Sequence, residues 1–238
     1  MSQPVREIRG VAVPFGYSSV DTDAIFPVSG EAIADEHGFG AALFARWRSD
    51  PGFILNREIF QSATILVADA DFGIGSSRET AVWALRGAGF RAILAPSFGD
   101  IFRSNCVRNG VLTAVLTETV RERLHGYLEA APGAELTVDL IACTVTATGG
   151  AVTDGAAADA ADTSFSEPVR IDGFARRCLV DGIDEFDLLV GYQQRTDQVL
   201  NATGGWVPDT RRLAQDHPRQ AADDRSSRTG AADDRSSR

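Results

Sequence analysis

The sequence has no apolar run near the roughly 18 residues that a membrane span needs, and its opening stretch, "MSQPVREIRG", lacks the hydrophobic segment of a signal peptide. A cytoplasmic protein with no membrane partner is therefore expected. Cysteine is scarce: Cys106, Cys143 and Cys178 lie far apart, with no CxxC and no Cys/His cluster at metal-ligand spacing. This chain alone is expected to hold no zinc and no iron–sulfur cluster. Histidine is equally sparse. His37, His125 and His217 form no HExxH, and each is expected at the surface. Positive charge is also short, since 23 Lys and Arg against 33 Asp and Glu leave a net charge of −10. That balance argues against a nucleic acid as main partner, but it does not exclude a small acidic substrate in one pocket.

What is present is an α/β pattern. With 44% hydrophobic residues in 238, the chain can bury a sizeable core. The run "TILVAD" (64–69), a glycine turn, a helix-like stretch of about ten residues and "FRAILAP" (90–96) have the spacing of a strand, helix and parallel strand. "SFGDIFRSNCVRNG" (97–110) predicts a short helix stopped by Asn109-Gly110, followed by a third strand, "VLTAVL" (111–116). In "TETVRERLHGYLEA" (117–130), Val120, Leu124 and Leu128 form an amphipathic stripe. "ELTVDLIACTVTAT" (135–148) alternates like an antiparallel strand pair. After a Gly/Ala/Asp-rich loop at 149–162, residues 171–190 predict a last packed helix. One domain over residues 1–200 is expected. Residues 201–238 form a polar tail carrying "AADDRSSR" twice, at 221–228 and 231–238. With so few large apolar groups, it is expected to stay disordered.

Two short stretches carry candidate chemistry. "GIGSSRE" (73–79) lies between the first strand and its helix. A dinucleotide fingerprint would need a third glycine where Arg78 stands, and the Lys-Ser/Thr end of a phosphate-binding loop is missing. Ser76 and Glu79 have the spacing of a capping box, which explains only half the residues. Ser77 and Arg78 remain. Free N–H groups at a helix start favour a carboxylate or a developing alkoxide. Arg78 adds a fork that grips a carboxylate at two points, so proton removal next to a carboxylate is one reading and an ordinary helix start the other. "SSVDTDAIFP" (18–27) groups Asp21, Thr22 and Asp23, either as an Asx-type turn or as carboxylates that orient an active-site group.

Together, "VDTDAIFP", "HGFGAALFARWR", "FILN", "ILVADADFGIGSSRE" and "WALRGAGFRAILAPSFGDIFRSN" resemble, in order and spacing, the small subunits of bacterial 3-isopropylmalate dehydratase. These are swivelling β/β/α domains of the aconitase superfamily, and the resemblance covers about residues 4 to 195. It implies a hydro-lyase active only with a large subunit that carries a [4Fe-4S] cluster. The substrate would be a small hydroxy di- or tricarboxylic acid, dehydrated and rehydrated at the neighbouring carbon in leucine biosynthesis. By similarity Ser77 is the base, Arg78 binds a substrate carboxylate, and Asp23 reaches the active site. Ser76, Thr22 and Gly75 complete the substrate contacts.

The chain also departs from that family. Ile74 and Thr80 stand where relatives commonly have Cys and His, and "SGEAIADEHGFG" places Glu36 and His37 where many bacterial relatives carry a basic stretch. If an arginine there recognises a substrate carboxylate, Glu36 would repel it. The loop from about Val28 to Phe39 is therefore expected to set specificity. A paralogue acting on a homoaconitate-like, methylmalate-like or specialised-metabolite diacid is the alternative. A non-catalytic RNA-binding or scaffold module is a further one, disfavoured by the acidic balance.

Overall fold

The computed structural model describes residues 4–27, 36–75, 78–147, 164–183, 187, 190 and 192–202. The repeated tail, the serines at 76 and 77, the whole of the 149–162 loop reading and Val28 to Asp35 lie outside the described residues.

The first strand, β1 (Glu7–Phe15), serves two sheet segments. Its first half, Glu7 to Val11, pairs antiparallel with β5 (Glu135–Asp139), and its second half, Ala12 to Phe15, pairs parallel with β2 (Ile65–Ala68). From β2 the sheet continues in parallel to β3 (Ala92–Ala95) and β4 (Leu112–Val115). Antiparallel strands close both sides: β6 (Thr144–Ala147) and β7 (Phe165–Pro168) beyond β5, and β8 (Arg170–Ile171) beyond β4. The order is β7-β6-β5-β1-β2-β3-β4-β8. The sequence reading of parallel strands around the glycine turn, and of an antiparallel pair at 135–148, thus matches the structure.

Side-chain alternation puts helices on both faces. In β2, Leu66 and Ala68 join a core with Phe15, Ile93, Val82 and Leu85, whereas Ile65 and Val67 join one with Leu94, Leu112, Leu124 and Leu128. A strand buried on both faces must be apolar throughout, which is why "ILVA" does not alternate in polarity. Each fully buried Leu or Ile contributes roughly 1.5–3 kcal/mol.

The helices are α1 (Thr22–Ile25), α2 (Glu36–Ala41), α3 (Ala45–Arg48), α4 (Glu79–Gly87), α5 (Asp100–Arg108), α6 (Glu118–Ala130) and α7 (Gly173–Asp181). Thr117 caps α6 by accepting from the Val120 N–H, and Val120, Leu124 and Leu128 form its buried stripe. Asp172 caps α7, and Gly182 ends it in the left-handed region at φ 66°. Another helix, α8 (Gln193–Ala202), belongs to a second unit that begins at Gly191. Among the described residues, no helix is long and apolar enough to cross a membrane.

Two expectations need correction. Glu36 to Phe39, read as part of a loop, are the start of α2. His125, expected at the surface, is buried at 8% exposure, and its Nε2 lies 3.0 Å from the Val67 carbonyl oxygen. Its α6 position falls on the stripe's flank, so the helix that buries Leu124 and Leu128 carries it inward. Burial lowers its pKa, and the Val67 carbonyl only partly offsets this.

Candidate functional site

Three loops leave the carboxyl ends of the parallel strands β1, β2 and β3, the end at which open α/β sheets form their crevices. Backbone hydrogen bonds join them. On one side, the Val20 carbonyl accepts from the N–H groups of Gly73 (2.7 Å) and Ile74 (3.1 Å), and the Ile74 carbonyl accepts from Thr22 N–H at 2.9 Å. Ser19 N–H donates to the Ala70 carbonyl at 2.9 Å. On the other side, Phe72 N–H donates to the Ser97 carbonyl at 3.1 Å, and Gly99 N–H donates to that of Phe72 at 3.0 Å. The glycine turn is therefore held from both flanks like a short extra strand.

Local chemistry explains why this sequence adopts that path. Asp21 is the N-cap of α1, with Oδ1 accepting from Ala24 N–H at 2.6 Å, so the Asx-type turn reading is realised as a helix cap. Gly73 lies at φ 73°, and a Cβ there would enter the Phe102 ring. A Cβ on Gly99 would strike the Gly73 carbonyl oxygen. Only glycine lets these two backbones approach so closely.

Asp23 and Arg78 meet across the joined loops. Arg78 Nη1 lies 2.8 Å from Asp23 Oδ1, with 30% and 50% of the two side chains exposed. The contacting atoms themselves are buried, and neither makes a hydrogen bond of good geometry, so their attraction is mainly Coulombic. Among the described residues, Arg78 Nε and Nη2 have no partner, leaving part of the fork open to a carboxylate. Arg78 is also the N-cap of α4, in extended conformation at φ −124° and ψ 110°, and its side chain does not cap the helix.

Thr22 is buried at 2% exposure, and Gly75 is exposed at the end of the turn. The structure thus brings Asp23, Arg78, Thr22 and Gly75 into one region, while Ser76 and Ser77 lie outside the described residues. Glu36 and His37 open α2, and their side chains also lie outside the described residues. The capping-box reading of Glu79 changes. Glu79 is the first residue of α4, and its Oε1 accepts from Asn109 Nδ2 at 2.8 Å. Asn109 Oδ1 in turn accepts from Trp83 Nε1 at 3.0 Å. This link fastens α4 to the end of α5.

Sequence reasoning missed Asp71 and Ser97. Asp71 stands in the left-handed region at φ 62°, which Asp tolerates better than most residues. Its N–H donates to Ser97 Oγ at 2.8 Å, and Ser97 Oγ donates to its Oδ1 at 2.7 Å. The "APSF" stretch was legible as a motif, but its pairing partner 26 residues away was not.

Among the described residues, no group of three or more His, Cys, Asp or Glu is arranged to hold a metal ion. Cys106 is buried in α5 with its thiol pKa pushed well up by burial, and Cys178 is buried in α7. Cys143 sits in the β5–β6 turn, with Arg176 Nη1 3.4 Å from its sulfur. These residues do not fit an iron–sulfur cluster.

The fold is that of an aconitase-type domain: the profile described as the aconitase C-terminal domain matches residues 2–119, and one described as LeuD_N matches residues 122–154. The crystal structure of 3-isopropylmalate dehydratase from Methanocaldococcus jannaschii shares the fold. It has a TM-score of 0.54 at 24% identity, and the match covers 83% of this chain and 99% of that one. The 3-isopropylmalate dehydratase small subunit of Leifsonia xyli subsp. xyli is 47% identical over 203 residues, covering 85% of this chain and 94% of the relative. That of Rubrobacter xylanophilus is 42% identical over 207 residues, covering 87% and 98%. The chain belongs to the family of 3-isopropylmalate dehydratase small subunits.

Proposed function

We propose that this chain is the small subunit of a hydro-lyase that converts 2-isopropylmalate to 3-isopropylmalate by dehydration and rehydration, a step of leucine biosynthesis in the cytoplasm. The observation that carries this reading is the Arg78–Asp23 pair at 2.8 Å, set at the carboxyl ends of parallel strands with part of the guanidinium open. The names of relatives at 42% and 47% identity support the substrate.

In this reading Arg78 holds a substrate carboxylate, and Asp23 positions the guanidinium. The Ser77 hydroxyl, as alkoxide, takes the proton from the carbon next to that carboxylate and returns a proton on rehydration. Ser76, Thr22 and Gly75 shape the pocket. A [4Fe-4S] cluster, implied by family resemblance, would be held by a large-subunit partner and would supply Lewis-acid chemistry at the substrate hydroxyl. This chain's residues are left with proton transfer and carboxylate binding, so the chain alone is inactive.

The test is anaerobic reconstitution with the large subunit encoded beside this gene, assayed in the ultraviolet with isopropylmalate, homocitrate, citrate and methylmalate. Turnover of isopropylmalate supports the proposal. Turnover of another diacid alone refutes it and assigns the changed Glu36–His37 segment to a different substrate.

A further inference from the structure

A concave feature lies beside the loop that follows β3. It is a cleft of about 480 Å³, lined by Ser97, Phe98, Arg103, Arg170, Ile171 and Gly173 among others. That volume is within the range of small-molecule sites, about 300–1,000 Å³. None of Asp23, Thr22, Gly75 and Arg78 lines it.

Its electrostatics run against the chain's net charge of −10. Arg103 comes from α5 and Arg170 from β8, and neither has an ion-pair or side-chain hydrogen-bond partner among the described residues. Among the described lining residues, the one carboxylate is Asp172. Its Oδ1 accepts from the N–H groups of Phe174 and Ala175, both at 3.0 Å, and is thereby engaged in capping α7. Two guanidinium groups borne by separate elements thus face one open space with a single carboxylate, Asp172, among the described lining residues, and its Oδ1 is committed to the α7 cap. Ile171 and Phe98 add apolar wall beside them.

We infer that this cleft is a binding site for a small oxyanion, a carboxylate or a phosphate, carried on a short body that packs on Ile171 and Phe98. Guanidinium forks are matched to both groups, and the open ends of α/β strands are where such ligands lodge. The cleft adjoins the glycine turn through one residue. Ser97 lines it and also holds Asp71.

The experiment is calorimetric titration of the full chain at low ionic strength with succinate and with inorganic phosphate. It compares the wild type with Arg103→Gln, Arg170→Gln and Arg78→Gln, each first shown to keep the wild-type circular dichroism spectrum. Saturable binding of either probe, weakened at least tenfold by both Arg103→Gln and Arg170→Gln and kept by Arg78→Gln, is the expected result. The tighter probe identifies the oxyanion. Absence of saturable binding, or binding indifferent to Arg103 and Arg170, overturns the inference. Binding lost only in Arg78→Gln also overturns it, because the anion would then sit at the Asp23–Arg78 pair.

Discussion

Ser97 holds Asp71 by two hydrogen bonds at once: its Oγ accepts from the Asp71 N–H at 2.8 Å and donates to the Asp71 carboxylate at 2.7 Å. Asp71 is the left-handed residue from which the glycine turn departs, so this hydroxyl adds a side-chain anchor to the backbone bonds that hold the turn. Ser97→Ala is expected to cost about 1 kcal/mol in stability, because both groups are partly solvated. Its effect on turnover is larger, on the order of tenfold to a hundredfold in kcat, since small misplacements of reacting groups are costly. Denaturant midpoints and the kcat of the reconstituted enzyme check the two numbers, and Ser97→Thr is expected to restore most of the loss.

The close approach of Gly99 to Gly73 gives a steric prediction. A methyl group at position 99 meets the Gly73 carbonyl oxygen, and that backbone is held by Val20 and cannot simply retreat. Gly99→Ala is expected to destabilise by about 1–3 kcal/mol, the usual cost of overpacking. Thermal unfolding monitored by circular dichroism reads it directly.

Asp23 separates stability from function. Its pair with Arg78 is part-exposed, and such pairs contribute roughly 0–1 kcal/mol. Asp23→Asn is therefore expected to leave the unfolding midpoint nearly unchanged while lowering kcat/KM by at least an order of magnitude, as the guanidinium loses its positioning charge. Measuring both quantities on the same preparation shows whether the pair holds the fold or the substrate.

His125 makes stability depend on pH. Burial lowers its folded-state pKa below the ordinary value of about 6.5, so the unfolded chain binds more protons in that window. Its contribution is complete above about pH 6.5 and is lost as the pH falls toward the folded-state value. Asp69 and Glu129 draw the pKa back up, and Arg121 pushes it further down. The Arg121 pKa is itself raised: burial lowers it, but Glu118, Asp69 and Glu122 outweigh that. Urea denaturation at pH 7.5 and 5.5 is expected to show a loss of stability at the lower pH that His125→Gln reduces.

Much of this architecture was legible in the sequence because its signals are local. The apolar run ending at Ala68, the glycine turn and the apolar run at Ala92–Ala95 mark parallel strands without any long-range knowledge. The stripe Val120, Leu124 and Leu128 marks α6 equally well. Asp23 and Arg78 were legible as candidates, but their meeting was not, since it depends on Val20 and Ile74 bringing two loops together. Glu79 was misread for the same reason. Its spacing from Ser76 suits a cap, yet Asn109, 30 residues away, takes its carboxylate. His125 looked like a surface residue because a lone histidine carries no sign of the carbonyl oxygen that receives it.

The central claim is that Arg78 grips a carboxylate of isopropylmalate while the large-subunit partner completes the site. The most direct test is the isopropylmalate turnover of the anaerobically reconstituted pair, with wild-type chain, Arg78→Lys and Ser77→Ala compared at equal assembly by gel filtration. The account predicts turnover by the wild type and losses of several orders of magnitude in both variants, with assembly unchanged. Wild-type-like turnover by either variant would contradict it.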